Sequence, residues 1–294
     1  MPHPAPRPRR SVLYMPGANA KALEKAKTLP ADAVILDLED AVAPEAKDDA
    51  RSAVALAVKN GGYGKREVII RVNAFGSAWG ADDLEAAVAA GPDAILFPKV
   101  SSAGEIEAIN EAMDALGAPP NMGLWAMIET PLAILAIKEI AAASTSTRLC
   151  AFVMGTNDIA KETRARQTHD RAPFWFALSA TVTAARLYWL AVIDGVYNDI
   201  ADTEGFVRIC EQGLDFGFDG KTLIHPSQIE PCNVVFAPSE GDVSHAYAVI
   251  AAFADPENAG KGVLKVDGKM TEILHRDMAL QTVAIADAIS AMQA

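Results

Sequence analysis

The sequence predicts an α/β chain, a (β/α)8 TIM barrel followed by a small helical C-terminal lid module. Short apolar, β-branched runs alternate with longer stretches of helical periodicity, eight such runs can be counted, and 294 residues suffice for one large barrel plus an appendage. The runs are Ser11–Pro16, Ala33–Glu39, Glu67–Asn73, Ala94–Lys99, Met122–Glu129, Leu149–Gly155, Ala191–Tyr197 and Phe218–His225. Their near-continuous apolarity suits parallel strands covered on both faces, and eight of them close a barrel more naturally than they extend an open sheet. Residues 11–238 are therefore assigned to the barrel. The rest, 239–294, forms the C-terminal module, with helices near Ser239–Ala254 and Glu272–Met292 and a polar linker Asp255–Lys269 between them. Residues 1–10, rich in Pro and Arg without an apolar segment, read as a loose arm rather than a signal peptide.

Composition narrows the function. With 51% hydrophobic and 22% charged residues the chain is globular, and 26 Lys+Arg against 38 Asp+Glu gives a net charge of −12 that repels nucleic acid and anionic lipid. A polyanionic small ligand would need a local cationic pocket. Cys150, Cys210 and Cys232 lack any zinc or disulfide spacing, which fits a reducing cytoplasm, and no apolar run is long enough to span a membrane.

In such a barrel the chemistry sits at the C-terminal ends of the strands. There the runs end in Leu36-Asp37-Leu38-Glu39-Asp40, Arg71-Val72-Asn73, Pro98-Lys99, Glu129-Thr130-Pro131 and Gly155-Thr156-Asn157-Asp158; Asp194 lies on the seventh run and His225-Pro226-Ser227-Gln228 closes the eighth. Taken singly, Glu129 or Asp158 could cap a helix, and Arg71 could pair structurally with Glu39. Taken together, five or more charged groups at one end of the barrel require a cation and a substrate to organise them. Glu129 and Asp158 offer oxygen ligands without a nearby His pair, which suits Mg2+ and disfavours zinc. Lys99 raises a Schiff-base rival. The Gly220-Lys221-Thr222 run fails as a phosphate loop because Asp215 stands where its first glycine belongs and the run leads into a strand.

The runs Arg10-Ser11-Val12-Leu13-Tyr14-Met15-Pro16-Gly17, Leu36-Asp37-Leu38-Glu39-Asp40-Ala41-Val42, Arg71-Val72-Asn73, Pro98-Lys99, Ile128-Glu129-Thr130, Gly155 to Asp158 and Ile224-His225-Pro226-Ser227-Gln228 occur in one order along nearly the whole chain. Together they resemble the citrate lyase β-subunit/malyl-CoA lyase group of the HpcH/HpaI aldolase superfamily. The resemblance implies a Mg2+-dependent barrel acting on β-hydroxyacyl thioesters, with the metal on Glu129 and Asp158. It implies substrate contacts from Arg71 and the backbone around Asn157, and coenzyme A contacts from Tyr14 and Lys25. Asn19 stands where some relatives carry Arg, so Arg10, Lys21 or the Arg7–Arg10 arm would have to supply charge for the CoA phosphates. The resemblance further implies a homo-oligomer, a trimer or hexamer, whose lid donates an Asp to a neighbour's site as acid/base. The matching stretch here, Gly268-Lys269-Met270-Thr271-Glu272, carries Glu272, one methylene longer.

On this reading Arg71 holds developing charge, Glu272 moves the proton, and Glu39 and Asp40 orient Arg71 and the metal's water. The leading expectation is cleavage of a malyl-CoA or citramalyl-CoA thioester to an acyl-CoA and a 2-oxo acid such as glyoxylate. A (3S)-malyl-CoA thioesterase on the same site is the alternative, motivated by the longer Glu272 arm. A citrate lyase β-subunit working on an acyl-carrier-protein thioester is the third.

Overall fold

The computed structural model describes residues 7–293, which form two compact units. The larger, Arg9–Asn233, is a closed barrel of eight parallel strands in sequential order. Its elements run β1 (Ser11–Pro16), α1 (Ala20–Ala26), β2 (Ala33–Asp37), α2 (Lys47–Asn60), β3 (Glu67–Arg71), α3 (Gly80–Ala90), β4 (Ala94–Phe97), α4 (Ala103–Ala115), β5 (Gly123–Ile128), α5 (Pro131–Leu135), α6 (Ile137–Ala142), β6 (Leu149–Met154), α7 (Thr156–Thr163), α8 (Trp175–Leu187), β7 (Ala191–Asp194), α9 (Thr203–Phe216), β8 (Gly220–Leu223) and α10 (Ile229–Val235). The ring closes where Ser11, Val12 and Leu13 pair with Lys221, Thr222 and Leu223.

Alternation along each strand fills the interior. Val12, Ile35, Ile69, Leu96, Trp125, Val153 and Ile193 pack together in the barrel's centre, so it is a solid core rather than a pore. The residues between them face the helices. Asp194 is one of these: its carboxylate is fully buried and takes Lys221 Nζ at 2.8 Å and Arg171 Nη1 at 2.7 Å, an ion triad behind the sheet.

Apart from β1, the strands stop one to three residues short of the expected runs, at Asp37, Arg71, Phe97, Ile128, Met154, Asp194 and Leu223. Their polar ends consequently stand on the following loops, free of the ladder. Two helix caps show how sequence sets these loops: Thr130 accepts from Ala133 N and starts α5, while Asn19 accepts from Ala22 N and starts α1. Glu129 is thereby released from a capping role.

The loose-arm expectation needs correcting at its end. Residues 1–6 lie outside the described residues, but Arg9 grips Glu67 through Nε and Nη2 at 2.6 and 2.9 Å and lies over the Trp125 ring. Arg10 is buried on Asp32, with Nε–Oδ2 at 2.9 Å and Nη2–Oδ1 at 2.8 Å. Both precede β1 and so stand at the N-terminal end of the barrel, away from the C-terminal strand ends, where Arg10 is only 6% exposed.

The second unit contains residues 234–293 with residues 7 and 8. Its helices α11 (Glu240–Ala254) and α12 (Ile273–Gln293) fall where expected, and Ser239 and Asp242 form a capping box at the start of α11. The second half of the expected linker is instead part of a hairpin, β9 (Val263–Val266) and β10 (Lys269–Glu272), paired antiparallel. Asp267 and Gly268 form its two-residue turn at φ 47° and 79°, the paired positive values of a type I′ hairpin. Val249, Val266 and Ala279 make this unit's own small core. No helix among the described residues is long and apolar enough to cross a membrane.

Candidate active site

A cavity of about 310 Å3 opens at the C-terminal ends of the barrel strands. Tyr14, Arg71, Glu129, Asn157 and Asp158 line it, with Asp40 at its edge and Met127, Met154, Val196 and Ile224 as apolar wall. Tyr14 comes from β1 and Arg71 from β3, Glu129 follows β5, Asn157 and Asp158 lie in the first turn of α7, and Asp40 lies on the loop after β2.

Arg71 is the most constrained of them. Register places Asp37 directly beside it, and a bidentate pair results, Nε–Oδ1 at 2.6 Å and Nη2–Oδ2 at 2.7 Å. The Tyr14 ring lies 4.8 Å beneath the guanidinium. Nη1 stands 2.7 Å from Glu39 Oε2, an ion pair by distance whose angle is not that of a hydrogen bond, and 3.6 Å from Asp40. Burial works against the charge on Arg71, but Asp37, Tyr14 and Glu39 more than offset it and hold the guanidinium firmly cationic.

Glu39 continues the network through Oε1, which accepts from Lys99 Nζ at 2.8 Å. Burial raises the Glu39 pKa while Arg71 and Lys99 oppose the rise. Lys99 is held against its own desolvation in the charged form by Glu39, which speaks against the Schiff-base role. Its backbone sits at φ 59°, a left-handed conformation that turns its N–H onto Glu129 Oε1 at 2.8 Å.

Glu129 is 1% exposed, and its carboxyl is pushed up to about 8 by burial first, then by the charges of Asp158 and Glu39. Two acids thus converge without a cation sufficient to neutralise them. Gly155 makes the convergence possible, since a Cβ there would run into the Glu129 side chain. Among the described residues no three His, Cys, Asp or Glu side chains form a cluster suited to a metal. A pair of carboxylates in a polar cavity with room for water and substrate oxygens is the donor set of Mg2+, and the residues present fit that ion.

The other expected site residues fall unevenly. Asn157 lies at the mouth in a ring of amides, accepting from Gln167 Nε2 at 2.7 Å and Asn198 Nδ2 at 2.8 Å. Tyr14 stands inside the barrel against Arg71, on a strand rather than on the first loop. Lys25 is exposed on α1 and does not line the cavity, and Asn19 is occupied as a helix cap. Glu272 ends β10 in the second unit, its backbone N–H donating to His275 Nδ1 at 2.9 Å. Sequence reasoning left Asp37 without a role. Its signal was the spacing: Asp37 and Glu39 alternate with Leu36 and Leu38, and Asp37 ends its strand on the side that meets Arg71.

A closed barrel with a strand-end carboxylate pair and a clamped arginine defines a barrel enzyme whose site suits a hard divalent cation. The HpcH/HpaI aldolase/citrate lyase family model matches residues 10–226, and the chain belongs to that family. It is 48% identical over 287 residues, 98% of each chain, to the (3S)-malyl-CoA thioesterase of Cereibacter sphaeroides. It is 38% identical over 271 residues to the citrate lyase subunit beta of Escherichia coli, covering 90% of this chain and 89% of that one. Among solved structures, the protein CitE of Mycobacterium tuberculosis in complex with magnesium, acetoacetate and coenzyme A superposes with a TM-score of 0.76 at 27% identity, covering 94% of this chain and 97% of that one. The chain is thus an enzyme of the lyase or thioester-hydrolase type.

Proposed function

We propose that the chain hydrolyses the thioester of a malyl-CoA-type substrate, with Mg2+ as cofactor and CoA as the leaving group. The observation that carries this reading is the convergence of an under-neutralised acid pair, Glu129 and Asp158, with a clamped guanidinium, Arg71, in one cavity. End-to-end identity of 48% to (3S)-malyl-CoA thioesterases supports hydrolysis over carbon–carbon cleavage.

Glu129 and Asp158 would hold Mg2+, which when bound would supply positive charge beside the substrate's free carboxylate and β-hydroxyl. Arg71 keeps Nε and Nη2 on Asp37 and presents Nη1, whose contact with Glu39 is poorly angled, to the thioester carbonyl oxygen as it gains charge. Tyr14 holds the guanidinium plane from below. Met127, Met154 and Val196 exclude bulk water around the reacting bond, and Asn157 offers amide donors at the mouth. Glu39 and Asp40 orient Arg71 from the side. Lys25, exposed on α1, is assigned to the CoA phosphates, and the enzyme to the cytoplasm.

Glu272 positions and deprotonates the attacking water, contributed by the lid of a neighbouring copy in a homo-oligomer. Mixing an inactive Glu129→Gln protein with an inactive Glu272→Ala protein should then restore activity, because hybrid assemblies contain sites with both residues intact. No restoration, with subunit exchange confirmed, removes Glu272 from a neighbour's site.

A second reading, carbon–carbon cleavage to an acyl-CoA and glyoxylate, is favoured by the 38% identity to a citrate lyase subunit. In it Glu272 protonates the departing enolate instead of activating water. Incubation with malyl-CoA and Mg2+ separates the two. Free malate with CoA is the expected product pair; glyoxylate with acetyl-CoA would overturn hydrolysis in favour of the lyase.

A further inference from the structure

Behind the loop that carries Glu39 and Asp40 lies a buried ammonium with no place in the chemistry above. Lys47, the first residue of α2, is only 5% exposed. Its Nζ donates at 2.8 Å to three acceptors, the carbonyls of Leu38 and Glu39 and the side-chain Oδ1 of Asn73, and it lies 5.2 Å from the centre of the Trp79 ring. An ammonium has three N–H donors, and all three are used.

The placement is specific to one short segment. β2 ends at Asp37, so the Leu38 and Glu39 carbonyls have left the β2 strand. The Leu38 carbonyl also accepts from Asn73 Nδ2 at 2.9 Å, and the Glu39 carbonyl from Val42 N at 3.1 Å. Asn73 is itself tied to the buried Asp83 through its backbone N–H at 3.0 Å and Nδ2 at 2.5 Å, and Asp83 accepts from Arg51 Nε at 2.7 Å. A rigid polar line therefore runs from α2 and α3 to the backbone that presents the Glu39 carboxylate to Arg71 and Lys99.

We propose that Lys47 is a positioning residue of the active site: its ammonium pins the Leu38 and Glu39 carbonyls so that the Glu39 carboxylate stays between Arg71 Nη1 and Lys99 Nζ. Burying a lysine is costly unless its charge is fully hydrogen-bonded. If filling space beneath Trp79 were the whole task, an apolar side chain would do it without that cost. Freed of Lys47, the two carbonyls turn toward water, the segment shifts, and Glu39 leaves Arg71 and Lys99, so Nη1 loses the carboxylate that faces it while Asp37 still holds the other edge of the guanidinium. A displacement of about 1 Å at a reacting group costs on the order of 100-fold in rate. The role of Arg71 in the reaction rests on the reading given under Proposed function; the pinning of the segment does not.

A double-mutant cycle with Lys47→Met, Glu39→Gln and the double variant tests the proposal, with kcat and KM for malyl-CoA consumption and hydrogen exchange of the 37–42 segment as readouts. If Lys47 acts through Glu39, Lys47→Met lowers kcat at least tenfold with KM changed less than threefold, yet adds less than a further twofold in the Glu39→Gln background. Equal fold-losses in both backgrounds would overturn the proposal, because a purely structural lysine acts independently of Glu39. Exchange in the 37–42 segment should quicken at least tenfold in Lys47→Met while the barrel strands stay protected, and unchanged exchange would overturn it regardless of substrate. A wild-type protein inert toward malyl-CoA sinks the substrate reading instead, and the exchange result then decides the pinning by itself. Should Lys47→Met not fold, Lys47→Gln, which keeps an amide donor for one of the carbonyls, enters the same cycle with the same outcomes.

Discussion

Replacing Arg71 by lysine keeps the charge and removes the fork. A lysine ammonium at that position can face one oxygen of Asp37 well, but it cannot hold both oxygens at 2.6 and 2.7 Å while also standing beside Glu39. One charge-assisted hydrogen bond is lost outright, worth about 1.5–3 kcal/mol, and Tyr14 loses the flat partner on its ring. For a domain of this size that corresponds to a melting temperature lower by roughly 2–4 °C per kcal/mol, so the variant should remain folded at assay temperature. The rate should suffer more than the fold. Losing an aligned donor to an oxygen that gains charge costs about 100- to 1000-fold in turnover, about 2.7–4 kcal/mol of transition-state stabilisation. Thiol release from malyl-CoA at saturating Mg2+, with kcat and KM resolved, should show that loss in kcat alongside a thermal scan confirming a folded protein. A folded Arg71→Lys enzyme with kcat within twofold of wild type would reduce Arg71 to a structural ion pair.

Three further outcomes follow from the same geometry. Because the folded Glu129 carboxyl sits near 8 rather than in its usual range near 4.5, metal-free protein should lose stability as pH rises from about 4.5 to about 8, by on the order of 5 kcal/mol; melting curves in EDTA should show the slope, and Glu129→Gln should flatten it. Gly155→Ala should force the Glu129 side chain out of place and weaken Mg2+ binding at least tenfold by calorimetry, and unchanged affinity would mean that Glu129 is not a ligand. Asp194→Asn should leave Lys221 and Arg171 as buried cations without a counter-charge and lower stability by about 3–5 kcal/mol in denaturant titration; a change under 1 kcal/mol would show that the triad is not what holds that side of the barrel.

Much of this was legible in the sequence for a simple reason. Short, near-continuous apolar runs alternating with helical stretches predict both the barrel and the strand ends at which polar residues emerge, so Arg71, Glu129 and Asp158 could be singled out from the sequence. Asp37 escaped because reading a strand end as a list of charges ignores which of them face inward; the pleat puts Asp37 beside Arg71 and leaves the exposed Asp40 at the rim. The C-terminal hairpin escaped for the opposite reason. Its strands are four residues each, too short for alternation to stand out, and only the Asp267-Gly268 dipeptide announced a turn. Arg9 and Arg10 read as part of an arm because their partners, Glu67 and Asp32, are distant in sequence and become neighbours only when the barrel closes.

The resting state of Arg71 says how such a site avoids defeating itself. An arginine buried beside three carboxylates has every reason to be fully consumed by them, leaving nothing for a substrate. Here the two strong bonds go to Asp37, which fixes the guanidinium plane, while Glu39 meets Nη1 at close range but off the hydrogen-bond direction. Lys99 pulls on the other oxygen of Glu39 and so keeps that carboxylate from swinging onto Arg71. An incoming carbonyl oxygen that can align with Nη1 then exchanges a poor contact for a good one, without breaking the pair that holds the arginine in place. The acid pair works in the same sense from the opposite wall: Glu129, raised to about 8 by burial and by Asp158, is stabilised as an anion only when positive charge arrives between the two. Both halves of the cavity are therefore least satisfied in the direction from which ligands come, and the residues that keep them so, Asp37, Lys99 and Gly155, are as much part of the site as those that face the substrate.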